Sequence, residues 1–243
     1  MAGDVATSSE TPRRLFGFAI TAAKIVSMFD DAQIPSVLWG PLAGHFYGAP
    51  YGDLPDFVVP DHLIQCTLGS FPRAFIYGNR HVHTRPDDIH AVIYLYTKSH
   101  LLWRLPDFEL GPPAADDRYL TLASDDRLPA TVPNAPRGPW PSGPWPYHLR
   151  PVKIPTAACI IETAIILCCR DYNADNNDYF DQWRGDLIDA VVYMRENVND
   201  EDLLPHFRAH WWDRSMKSLI ELREKLLERN ELPAPPDQEI SNT

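Results

Sequence analysis

At 243 residues with 44% hydrophobic positions, the chain has room for one large domain or two small ones and for a substantial buried core, which argues against disorder throughout. Its formal charge of −11 argues against bulk nucleic-acid binding and against adhesion to a membrane surface, because both partners are anionic; a local basic pocket is still allowed. Four cysteines, with Cys168 and Cys169 adjacent, do not make a secreted disulfide framework, so a reducing compartment is the simpler expectation.

Residues 1–14 are polar and contain proline, without the charged start and apolar run of a signal peptide, and are expected to form a loose tail. From Leu15 to Phe29, Leu15, Phe18, Ala19, Ala22, Ile25, Val26 and Phe29 recur at helical spacing, which predicts a core-facing helix closed by Asp30, Asp31 and Pro35. Ser36 to Trp39 is a short apolar run between Pro35 and Gly40 and reads as a buried strand. A short helix is expected over Pro41 to Gly48, a strand over Asp56 to Val59, and a helix from Pro60 to about Leu68, since proline suits a first turn. Two more strands are expected at Ala74–Tyr77 and His90–Tyr96.

The composition changes at Leu105: a dozen prolines lie between Pro106 and Pro155, a density that predicts an irregular strap without helix or sheet. Within it, Trp140 and Trp145, with Tyr147, would either pack the strap onto the domain or present an aromatic face. Thr156 is placed to cap a helix running to Arg170, and further helices are expected over Phe180–Glu196 and His206–Asn230. The longest apolar stretch, Ala157 to Cys169, is interrupted by Glu162 and Thr163 and falls short of the roughly 20 residues that span a bilayer. A cytoplasmic location and no membrane partner follow as expectations. The fold class is therefore read as α+β, in five parts: the tail 1–14, an α/β half 15–104, the strap 105–155, a helical half 156–231 and a tail 232–243.

Several separated blocks carry a further reading. Leu38-Trp39-Gly40, then Tyr47-Gly48-Ala49-Pro50, then Asp56-Phe-Val-Val-Pro-Asp61 resemble the strand–Gly–helix–strand opening of nucleotidyltransferase-like proteins, in a large and mostly uncharacterised fungal family. The likeness continues through Leu95-Tyr96-Thr-Lys-Ser99, Leu105-Pro-Asp107, Gly111-Pro-Pro-Ala114, Leu122-Ala-Ser-Asp125, Pro151-Val-Lys-Ile-Pro155 and Cys169-Arg-Asp-Tyr172, and so spans about Pro35 to Tyr172. The resemblance implies a minimal mixed sheet with flanking helices. It also implies a glycine turn behind a nucleotide's phosphates, two carboxylates one residue apart on the second strand holding Mg²⁺, and a third on a later strand. Such a site works by positioning and by neutralising charge with hard cations.

On that pattern Asp53 and Asp56 are the candidate catalytic residues, Asp56 the candidate Mg²⁺ ligand, and Gly40 the candidate phosphate turn. The sequence departs from the pattern at three points. Leu54 stands two residues before Asp56, Pro41 follows Gly40 and has no N–H to donate, and Ala91 to Tyr96 contains no carboxylate. Lys98 and Lys153 are the candidate contacts for an anionic small molecule or nucleotide, beside the plainer reading of solvated lysines. His81, His83 and His90 could hold a metal, but the charged residues around them favour a surface loop; Cys168 and Cys169 read as buried inert thiols. Two functions stay open: a degenerate or repurposed protein that binds a nucleotide, small molecule or protein partner, and an active Mg²⁺-dependent transferase acting on a small acceptor. A weaker third is a specialised-metabolism enzyme reusing the fold.

Overall fold

The computed structural model describes residues 10–49, 56–59, 80–84, 91–129, 144–172, 178–213 and 215–233. The chain is α+β, with a mixed four-stranded sheet, a two-stranded sheet and a cluster of helices.

Helix α1 (Glu10–Asp31) starts five residues before the expected Leu15. It ends where Gln33 turns into the left-handed region (φ 60°) and the Ile34 N–H donates to the Phe29 carbonyl at 2.8 Å. Of the apolar face that the spacing predicts, Ala19, Ala22, Ile25 and Val26 are buried, with Ala23 beside them in the core. Phe29 meets Phe57 edge-on, with ring centroids 5.7 Å apart, and this contact holds α1 to the sheet.

Strand β1 (Val37–Trp39) leads through Gly40 into the short helix α2 (Gly40–His45) and then to strand β2 (Asp56–Val59). Strands β3 (Arg80–Thr84) and β4 (Ala91–Thr97) complete the sheet in the order β1-β2-β4-β3. β1 runs antiparallel to β2, β2 parallel to β4, and β3 antiparallel to β4. His81 and His83 lie on β3 rather than in a loop, since the alternating Arg-His-Val-His-Thr run finds a pairing partner in β4. The expected helix Pro60–Leu68, the strand Ala74–Tyr77, and Asp53, Cys66, His90 and Trp140 lie outside the described residues.

Helix α3 (Lys98–Leu101) follows β4 directly. The proline-rich stretch is not free of sheet: β5 (Leu120–Leu122) pairs antiparallel with β6 (Lys153–Pro155), and β6 packs against β1. Proline density forbids long ladders but not three-residue ones, and Pro155 sits at the end of its strand, where its missing N–H does least harm. Trp145 is half-buried against Phe46 (centroids 5.1 Å apart), and its N–H donates to the Ala123 carbonyl at 2.7 Å.

Helix α4 (Ala157–Asp171) is the central pillar, capped by Thr156, whose hydroxyl accepts from the Cys159 N–H at 3.2 Å. All its residues except Ile160 are buried, which is what an apolar run on all sides of a helix requires. Helices α5 (Asp178–Met194), α6 (Pro205–Trp212) and α7 (Met216–Glu228) surround it. The expected single helix His206–Asn230 is thus two helices. Ser215 takes an extended conformation and accepts from the Ser218 N–H at 3.2 Å, while Asp213 accepts from the Ser215 N–H at 3.0 Å. That local capping chemistry outweighs the continuous periodicity. No described helix is long and apolar enough to cross a membrane.

Candidate functional site

The sheet end of the molecule holds Gly40 and Asp56. Gly40 has φ +72°, a left-handed conformation that a side chain makes costly, and it turns the chain sharply from β1 into α2. In the register, Asp56 faces Trp39 of β1 on one side and Tyr94 of β4 on the other. β4 reads Ala-Val-Ile-Tyr-Leu-Tyr-Thr, so the strand beside Asp56 brings no carboxylate. Behind Gly40 the first helical N–H positions include Pro41, and α2 is only six residues long. The turn therefore offers few amides to a phosphate.

The two candidate lysines lie elsewhere. Lys98 follows Thr97, which pairs with Val59, three residues along β2 from Asp56 and hence about 10 Å away at the usual strand rise. Its ammonium reaches Asp107 at 3.1 Å. Lys153, at the start of β6, is 4% exposed and so is no solvated surface lysine; its ammonium donates to the Glu109 carbonyl. Burial lowers its affinity for a proton, with only the Asp30 carboxylate acting the other way. Both lysines thus hold the segment Leu105 to Ala114, Lys98 from its side chain contact with Asp107 and Lys153 from below.

Between that segment and β5 lies a half-open cleft of about 230 Å³. Its walls include Leu105, Phe108, Leu110, Tyr119 and Leu120, and Lys153 lines it too. Gly111, at φ +87°, makes the bend that carries Pro112 and Pro113 around its edge. Asp117 stiffens the facing wall, where one carboxylate oxygen accepts from the Tyr119 and Leu120 N–H groups at 2.8 and 2.9 Å. Sequence reasoning named Lys98 and Lys153 singly. The blocks Leu105-Pro-Asp107 and Gly111-Pro-Pro-Ala114 were legible, but nothing local showed that they fold over a lysine more than 40 positions away.

The remaining reactive side chains are built into the core. Burial pushes the Cys159 and Cys169 thiols up to about 12, and Cys168 is buried beside them, which makes all three poor nucleophiles. Tyr47 donates to the Pro155 carbonyl at 3.0 Å, and burial holds its phenol far above the usual range, so it is a latch between α2 and β6. His210 and Ser218 share a 2.5 Å hydrogen bond between α6 and α7, both buried. Glu162, buried on α4, accepts from Arg118 at 2.8 Å and from the Leu204 N–H at 2.5 Å, and thereby caps the start of α6.

No protein family and no curated relative matches the sequence. One solved structure is similar in shape, a crystal structure of an antigenic nucleotidyltransferase-like protein from Paracoccidioides brasiliensis. It is 13% identical, with a TM-score of 0.39 over 97% of this chain and 99% of that one. Likeness at that level carries no argument about this chain.

Proposed function

We propose that this chain is a nucleotidyltransferase-like protein repurposed to bind a small molecule rather than to transfer a nucleotidyl group. The observation that carries the reading is the donor set at the sheet end: among the described residues one aspartate, Asp56, stands there, flanked in register by Trp39 and Tyr94, with no carboxylate on β4. Two Mg²⁺ ions about 4 Å apart need several carboxylate oxygens between them, and a single aspartate among the described residues does not fit that demand. The strand–glycine–helix–strand order supports the nucleotidyltransferase-like part of the reading. The cleft beneath residues 105–114 supports a small molecule over a nucleotide or a protein, because it is small, half-open and floored by a buried ammonium.

The test is release of pyrophosphate from each of the four nucleoside triphosphates, with and without Mg²⁺, by the wild type and by Asp56→Ala. Release at the level of the enzyme-free blank in both proteins is expected, with Asp56→Ala altering thermal stability instead. Mg²⁺-dependent release by the wild type that disappears in Asp56→Ala would establish the transferase and end the binding reading.

A further inference from the structure

Lys153 poses a charge problem that the protein alone does not solve. A buried ammonium is costly unless it is paired, and it carries three N–H donors. Among the described residues its acceptor is the Glu109 carbonyl, a neutral group that takes one donor, and no carboxylate lies within ion-pair distance. The charge that acts on it most favourably, Asp30, is itself engaged by Arg150 at 3.6 Å. The ammonium is nevertheless not sealed in, because it lines the cleft.

We infer that the cleft is a binding site for a small monocarboxylate with an apolar body, whose carboxylate would be the missing counter-charge of Lys153. The inference deepens the small-molecule reading above, and rests on it, by naming the ligand class. Three properties of the cleft select that class. First, Leu105, Phe108, Leu110, Tyr119 and Leu120 give the cleft an apolar and aromatic wall beside its charged residues, and Leu110 is left 39% exposed, as surface a ligand body would cover. Second, the volume of about 230 Å³ lies below the roughly 300–1,000 Å³ of drug-sized sites, so the body is on the scale of one ring or a short chain. Third, Asp107, Glu109 and Asp117 stand around the cleft. Asp107 pairs with Lys98 at the surface and one oxygen of Asp117 is held by backbone amides, but together the three acids oppose a polyanion such as a triphosphate far more than a single negative charge.

The probe is 4-fluorobenzoate, followed by fluorine NMR line broadening on titration, with 4-fluorobenzyl alcohol as the uncharged counterpart of the same shape. Saturable binding of the benzoate to the wild type is expected at about millimolar concentration, as suits so few atoms. It should weaken at least tenfold in Lys153→Met, and the alcohol should bind the wild type at least tenfold more weakly than the benzoate. Should Lys153→Met fail to fold by circular dichroism, Ala114→Trp, an exposed position on the cleft edge, takes its place and should block the benzoate without touching the lysine. Equal binding by Lys153→Met or by Ala114→Trp, equal binding of the alcohol, or no saturable binding to folded wild type would each overturn the inference. A positive pyrophosphate assay with intact benzoate binding would instead sink the repurposed-binder reading alone, so the two failures are separable.

Discussion

The strongest single test of the helical core is the charge pair inside it. Arg170 and Asp171 close α4 with side chains 1% and 2% exposed, joined by two hydrogen bonds, Nε to Oδ1 at 2.7 Å and Nη2 to Oδ2 at 2.8 Å. Arg170 also donates to the His100 carbonyl and lies 5.1 Å from the centre of the Trp103 ring, while the Trp183 indole donates to Asp171 at 2.7 Å. The cluster thus ties α4 to α3 and α5. Asp171→Asn keeps the shape and removes the negative charge that meets the buried guanidinium through two hydrogen bonds. Removing one partner of a buried pair costs about 3–5 kcal/mol. With a urea m-value of about 2–3 kcal/mol/M, the midpoint should fall by about 1–2.5 M at unchanged m. The double variant Arg170→Met/Asp171→Leu removes both charges and restores apolar packing, so it should recover much of the loss. A shift below about 0.3 M for Asp171→Asn, worth under about 1 kcal/mol, would refute the premise that the pair is desolvated. A double variant less stable than the single would refute the claim that the loss comes from an uncompensated charge.

Gly40→Ala should destabilise the protein by about 1–2 kcal/mol, because φ +72° is strained for a residue with a Cβ, and Gly40→Asn by less; urea midpoints decide the order. With thiols pushed up to about 12, Cys159 and Cys169 are ionised to about one part in 10⁴ at pH 8. Mass mapping after Ellman's reagent should therefore find them unmodified in the native protein and modified in guanidinium. Burial first, then Arg104 at His206 and Lys225 at His210, holds both imidazoles below their usual value, against weaker opposing effects of Glu231 at His206 and of Asp213 and Glu221 at His210. The fold thus keeps them neutral, and the unfolded chain takes up their protons first. Their contribution is complete above about pH 6.5 and is lost as pH falls through that value toward the folded-state pKa. Melting temperatures between pH 8 and 5 should show this drop, and a His206→Gln/His210→Gln variant with an undiminished slope would contradict it.

What the sequence determined by itself was local. Helical spacing from Leu15 to Phe29 located α1, the apolar run before Gly40 located β1, and Thr156 marked the start of α4 through its capping hydroxyl. Each of these signals acts within a few residues, where side-chain periodicity and backbone satisfaction leave one good solution. The break between α6 and α7 was equally local, written in Asp213 and Ser215, but a continuous apolar rhythm masked it.

Tertiary structure alone decided the rest, because the deciding partners are far apart in the chain. The α4 stretch reads as an apolar helix, and it is buried nearly all round because α5, α6 and α7 close over it from later in the sequence. The proline-rich stretch reads as irregular, yet Leu120–Leu122 finds its ladder in Lys153–Pro155. Lys153 itself looks like any lysine in an acidic chain until β6 packs against β1 and the segment Leu105 to Ala114 folds over it. Only that closure buries the ammonium and leaves it facing a cleft with no carboxylate among the described residues within ion-pair distance, since desolvation belongs to the packed molecule and not to the residue.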